Sequence, residues 1–107
     1  MNPETKKTIK NIINNSTIVV FMKGSKEMPL CGFSSRVIQI LNILELVYST
    51  IDVLKNPSIR SGIKEYSKWP TIPQVYVNGE FIGGADIITE LYQKSKLQET
   101  IEKLINS

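Results

Sequence analysis

Cys31 is the only cysteine of the chain, and there is no histidine at all. It stands in Lys23-Gly24-Ser25-Lys26-Glu27-Met28-Pro29-Leu30-Cys31-Gly32-Phe33-Ser34. An apolar run, Ile18-Val19-Val20-Phe21-Met22, leads in, and a periodic segment from about Ser34 to Leu46 leads out. A β-branched run followed by apolar residues at i, i+3 and i+4 reads as strand, loop, helix. The loop delivers the thiol to a helix N-terminus, where unpaired N–H groups and the positive end of the dipole favour a thiolate. Lys23, just past the strand, adds positive charge if it returns to the same edge. A thiolate attacks disulfides and binds metals. Taken alone, a single cysteine reads as a small buried apolar residue. Pro29 and Gly32 beside it fit a loop and a close backbone approach rather than the middle of a core strand.

The remaining composition narrows the chemistry. One cysteine excludes an internal disulfide and with it a secretory disulfide framework, so a reducing compartment fits. Without histidine, a Cys/His zinc site would need ligands from other chains. Gly24 lacks the Gly-Lys-Ser/Thr that completes a phosphate loop, and no dinucleotide fingerprint is present. At 107 residues, with 41% hydrophobic and 21% charged content, the chain suits one globular domain, residues 1–107, with a core that needs no staples. The net charge of +3 is spread as scattered lysines, which reads as a solvated surface rather than a nucleic-acid footprint. No segment approaches the length of a membrane span. The start, Met1 to Lys6, lacks an apolar signal core and an Arg-rich transit pattern. The cytoplasm is the expected compartment, or the mitochondrial matrix if a leader has been removed.

The elements that must position the thiol follow from local signals. Asn2-Pro3 reads as an N-cap with proline at the first helical position, opening a helix whose stripe is Ile9, Ile12 and Ile13. Strand one runs from about Thr17 to Met22. The helix after Cys31 carries Val37, Ile40, Leu41 and Leu44. Val47 to Asp52 reads as strand two, and the helix between two strands implies a parallel, right-handed crossover. Asn56-Pro57 repeats the cap and opens a helix to about Tyr66. Gln74 to Val77 is strand three, Asn78-Gly79 a type I′ hairpin signal, and Glu80 to Ile82 strand four. Two helices follow, one with Asp86 near its start and one carrying Leu97, Ile101, Leu104 and Ile105. A parallel pair plus a hairpin makes a mixed four-stranded α/β sheet with helices on both faces.

Four motifs in order, Met22-Lys23-Gly24, Cys31-Gly32-Phe33-Ser34, Trp69-Pro70-Thr71-Ile72-Pro73-Gln74 and Gly83-Gly84-Ala85-Asp86-Ile87, resemble those of monothiol glutaredoxins of the CGFS type. The resemblance spans nearly the whole chain and implies the thioredoxin-like fold, with strand order 2-1-3-4. It also implies glutathione as a ligand, and it assigns residues. Lys23 and Arg60 resemble partners of the glycine-end carboxylate, although on its residues alone Arg60 is a solvated helix charge. Ile72-Pro73 resembles the family's cis-proline turn, whose backbone pairs with the cysteinyl part of glutathione as in strand addition. The N–H groups of Ala85 and Asp86 would take the γ-glutamyl carboxylate at a helix start, and the Asp86 side chain its ammonium. A capping role for Asp86 is the plainer alternative. Trp69 and Phe33 read either as packing or as a rim. Many relatives have cysteine where this chain has Ala85, which removes an internal redox switch.

Three functions are then expected candidates. In the first, a homodimer holds a 2Fe–2S cluster through two Cys31 thiolates and two glutathiones and passes it to apo iron–sulfur proteins. One chain offers one of the four cysteine-type ligands such a cluster takes. In the second, Cys31 is the nucleophile of a glutathione-dependent oxidoreductase acting on protein mixed disulfides. In the third, the chain is a binding module for a BolA-like partner, which could donate a histidine to a shared cluster.

Overall fold

The computed structural model describes residues 1–107. The element order is α1 (Pro3–Asn14), β1 (Ile18–Met22), α2 (Gly32–Ile43), β2 (Ser49–Asp52), a short 3-10 turn (Val53–Lys55), α3 (Pro57–Ser67), β3 (Gln74–Val77), β4 (Glu80–Gly83), α4 (Ala85–Gln93) and α5 (Leu97–Ile105). The sheet order is β2-β1-β3-β4, as the family resemblance implies. β1 runs parallel to β2, with Val19 opposite Ser49 and Met22 opposite Asp52. It runs antiparallel to β3, with Phe21 opposite Gln74, and β3 pairs antiparallel with β4. The crossover through α2 explains how a parallel pair arises, because only a long connection can return the chain to the same direction.

β1 is buried along its whole length, which is why it reads as a continuous apolar run rather than an alternating one. Its residues serve two cores in turn. Ile18, Val20 and Met22 pack with Val37, Leu41, Val75, Ile88 and Leu97 on one face, while Val19 and Phe21 pack with Ile9, Ile13, Ile63 and Tyr76 on the other. The period of two along the strand divides the helices into layers, α2, α4 and α5 against α1 and α3.

Some boundaries differ from the sequence reading. α2 starts at Gly32, directly after the cysteine, rather than at Ser34. β2 starts at Ser49, because pairing with β1 begins only there; Val47 before it is 91% exposed. The turn Val53–Lys55 has no local signal in the sequence reading above. Asp52 caps it by accepting the Leu54 N–H at 3.0 Å. Asn78 and Gly79 both have positive φ, 50° and 83°, as a type I′ turn requires. No helix is long and apolar enough to cross a membrane.

Candidate functional site

Cys31 occupies the N-cap position of α2 in extended conformation (φ −148°, ψ 137°), and no side chain caps this helix. The first backbone bond of α2 runs from the Ser35 N–H to the Cys31 carbonyl, which leaves the earlier N–H groups facing the sulfur. The Cys31 thiol is therefore held below its ordinary value of 9.0. The Ser34 N–H is the chief cause, opposed by partial burial and assisted by the Phe33 N–H, the Lys23 ammonium and the Ser34 hydroxyl. The sulfur is half-buried and free. Ser34 itself is fully buried, and its hydroxyl accepts the Lys23 N–H at 3.2 Å, tying the end of β1 to the start of α2.

The loop between them is a small hairpin. The Leu30 N–H reaches the Lys23 carbonyl at 2.9 Å, and Ser25 and Met28 exchange backbone bonds at 3.2 and 3.1 Å. Gly24 has φ +90°, and a Cβ there would strike the Met28 carbonyl and the Leu30 nitrogen, so the turn closes only around glycine. Two anchors fix the loop to β2 and to Tyr48 just before it. The Gly24 N–H donates to Asp52 Oδ1 at 3.0 Å, and Lys26 Nζ donates to the Tyr48 carbonyl at 2.8 Å while lying 4.7 Å from the Tyr48 ring centre. Met28, Leu30 and Phe33 are left 68%, 62% and 62% exposed around the sulfur.

Cys31 opens on a cavity of about 340 Å³ whose lining includes Lys23, Lys64, Trp69, Ile72, Ala85 and Asp86. Five of the six residues expected at the site thus meet there: Cys31, Lys23, Ile72, Ala85 and Asp86. Arg60 does not line the cavity; Lys64, one turn further along α3, does. The signal for Lys64 was available, since residues four apart share a helix face. Neither Lys23 nor Lys64 forms an ion pair with any acidic group of the chain.

The opposite wall is the turn before β3. The Ile72–Pro73 peptide is cis, as the resemblance implied. The Ile72 side chain is buried, yet its N–H and carbonyl make no hydrogen bond within the chain. Gly84 is the N-cap of α4 and offers no capping side chain. The first backbone bond of α4 is Ile88 N–H to the Gly84 carbonyl, so the N–H groups of Ala85 and Asp86 are unused. The Asp86 carboxylate is exposed and does not cap the helix. Gly84 makes room within the protein, since a Cβ there would stand 3.1 Å from both the Pro73 carbonyl oxygen and Trp69 Nε1. No group of three or more acidic, cysteine or histidine side chains gathers anywhere in the chain to hold a metal by itself.

A helix-borne thiolate facing a cis-proline turn across a groove, on a sheet of this order, defines a thioredoxin-like thiol protein. Comparison with known proteins carries this further: the glutaredoxin family model matches residues 18–82, and the chain belongs to that family. Within it, the chain is a monothiol glutaredoxin. It is 59% identical over 107 residues, 100% of both chains, to a ycf64-like monothiol glutaredoxin of Synechocystis. It is 44% identical to a chloroplastic monothiol glutaredoxin of Arabidopsis thaliana, covering 100% of this chain and 62% of that one. The solution structure of reduced apo GrxS14 from poplar superposes with a TM-score of 0.86 at 45% identity, covering 99% of this chain and 97% of the other.

Proposed function

We propose that the groove binds glutathione and that two copies of the chain, each with one glutathione, carry a 2Fe–2S cluster as cargo for apo iron–sulfur proteins. The observation that carries this reading is the pairing of one accessible thiolate with a groove suited to a zwitterionic tripeptide. Glutathione brings two carboxylates, one ammonium and a peptide backbone. The groove offers two unpaired ammonium groups, Lys23 and Lys64, the free N–H groups of Ala85 and Asp86, the Asp86 carboxylate, and the unpaired peptide groups of Ile72. Arg60 extends the positive charge along α3. With one thiol per chain and no other metal-binding cluster, the remaining cysteine-type ligands must come from a second chain and from bound thiols.

Anaerobic reconstitution with iron, sulfide and glutathione is expected to give a coloured dimer. Omitting glutathione, or replacing Cys31 with serine, abolishes it. A colourless protein that rapidly turns over glutathione mixed disulfides would instead establish the second reading, which the lowered Cys31 pKa favours. There the Cys31 thiolate attacks the glutathionyl sulfur and releases the target thiolate. A second glutathione thiolate then attacks the resulting mixed disulfide, freeing Cys31 and leaving as glutathione disulfide.

A further inference from the structure

The ligand-facing wall of the groove depends on one buried amide. Gln74, the first residue of β3, is fully buried. Alternation along β3 puts it on the same face as Tyr76, which packs in the apolar layer with Phe21, Ile63 and Ile72. A carboxamide in such a layer is unfavourable unless its polar atoms are paired. Here both N–H bonds are used, since Nε2 donates to the Trp69 carbonyl at 3.1 Å and to the Thr71 carbonyl at 3.2 Å. Oε1 accepts the Tyr76 hydroxyl at 3.1 Å. Burial pushes the Tyr76 phenol well above its usual range, so it stays a donor. Only an NH₂ group can serve two carbonyls, so these partners also fix which way the amide points.

Few other bonds hold this turn. Pro70 and Pro73 have no N–H, and Trp69 is tied at its own N–H to the Lys64 carbonyl and the Ser67 hydroxyl, at 3.1 Å each. Past that point the carbonyls of Trp69 and Thr71 are drawn inward by Gln74, while the N–H and carbonyl of the next residue, Ile72, are left without a partner beside the cavity.

We propose that Gln74 is a positioning residue for glutathione: by holding the Trp69 and Thr71 carbonyls inside the protein, it presents the Ile72 peptide groups to the ligand. This rests on the glutathione groove proposed above. It predicts that loss of the clamp weakens selection of the tripeptide without altering the sulfur, which lies on another wall and is set by α2.

The test compares two exchange equilibria at Cys31. In each, the thiolate attacks a disulfide and releases one thiol, from glutathione disulfide in one case and from hydroxyethyl disulfide in the other. Gln74→Glu replaces the NH₂ group that supplies both donors by a single oxygen that repels the carbonyls, and Gln74→Met fills similar volume with no donor. Both variants are expected to lose about tenfold in preference for glutathione over the small disulfide, the worth of one or two hydrogen bonds. The pH profile of Cys31 alkylation should stay as in the wild type. An unchanged preference in a folded variant overturns the clamp alone; a wild-type protein with no preference for glutathione overturns the groove and the clamp together.

Hydrogen exchange on the wild-type protein gives an independent reading should both variants fail to fold. The Gln74 side-chain N–H₂ is expected to exchange slowly, and the Ile72 backbone N–H quickly until glutathione protects it. Free exchange at Gln74, or an Ile72 N–H indifferent to glutathione, overturns the proposal.

Discussion

Two pairs of helices in this protein begin in different ways. α1 and α3 both open with Asn-Pro. The Asn2 side chain accepts the Glu4 N–H at 2.8 Å, the Asn56 side chain accepts the Ile59 N–H at 3.1 Å, and each proline removes one donor that would otherwise go unpaired. α2 and α4 open at Cys31 and Gly84 with no capping side chain, and both starts border the same cavity. α5 lacks a side-chain cap as well, but none of its residues lines that cavity. In the first pair the asparagine accepts one N–H and the proline removes another, and the fold gains stability. The second leaves its first N–H groups free, one set turned on a sulfur and the other open to a ligand. Stability and chemistry are thus drawn from the same backbone groups, and a helix start can supply one or the other.

The strongest way to break this contrast is to give α2 the start that α1 and α3 have. Cys31→Asn should abolish thiol alkylation and cluster assembly outright. At neutral pH it should also stabilise the fold by about 1 kcal/mol, a rise of about 4–8 °C in thermal midpoint. That gain depends on pH with a definite sign. The wild-type thiol has a lowered pKa in the folded state, so the stability it contributes is fully present above the unfolded value, taken as 9.0, and is lost as pH falls through the folded value. The advantage of the variant should therefore narrow as pH rises toward 9.0. Denaturant melts of both proteins across pH would show a constant gap if the helix start did not stabilise the thiolate.

The converse change is smaller. Asn56→Ala uncaps α3 and should cost about 1 kcal/mol in denaturant melts, with the Cys31 alkylation profile unmoved. A shift in that profile would mean that the two kinds of helix start are coupled. The finest test separates backbone from side chain at the sulfur. Lys23→Gln should move the Cys31 alkylation profile to higher pH while leaving most of the lowering in place, because the Ser34 N–H outranks the lysine charge. Full return to the ordinary thiol range would assign the effect to Lys23 instead.

Much of this was legible in the residues. The Asn-Pro pairs, the Asn78-Gly79 turn and the β3 run have local signals that the tertiary structure does not override. Cys31 at a helix start followed from the strand–loop–helix reading. Gly32 concealed that α2 begins at once, since glycine reads as punctuation whether it ends a loop or opens a helix. Val47 resembled a strand residue, but a strand needs a partner, and β1 reaches only as far as Ser49. Residues that act through others were least visible. Gln74 reads as an ordinary polar residue in a strand, and only the folded turn shows the carbonyls it serves. Arg60 and Lys64 share one face of α3, so a helical period cannot choose between them; which of the two lines the cavity depends on how far along the helix the cavity lies.

Met28, Leu30 and Phe33 keep broad apolar surfaces in water next to the sulfur. Covering such area is favourable by roughly 25 cal/mol per Å² before the cost of association is met. The same contact would strip water from the thiolate, and dehydration pushes its proton affinity up. Shelter would then shift the sulfur toward its protonated form, while any thiolate that remains is the more basic and intrinsically stronger nucleophile.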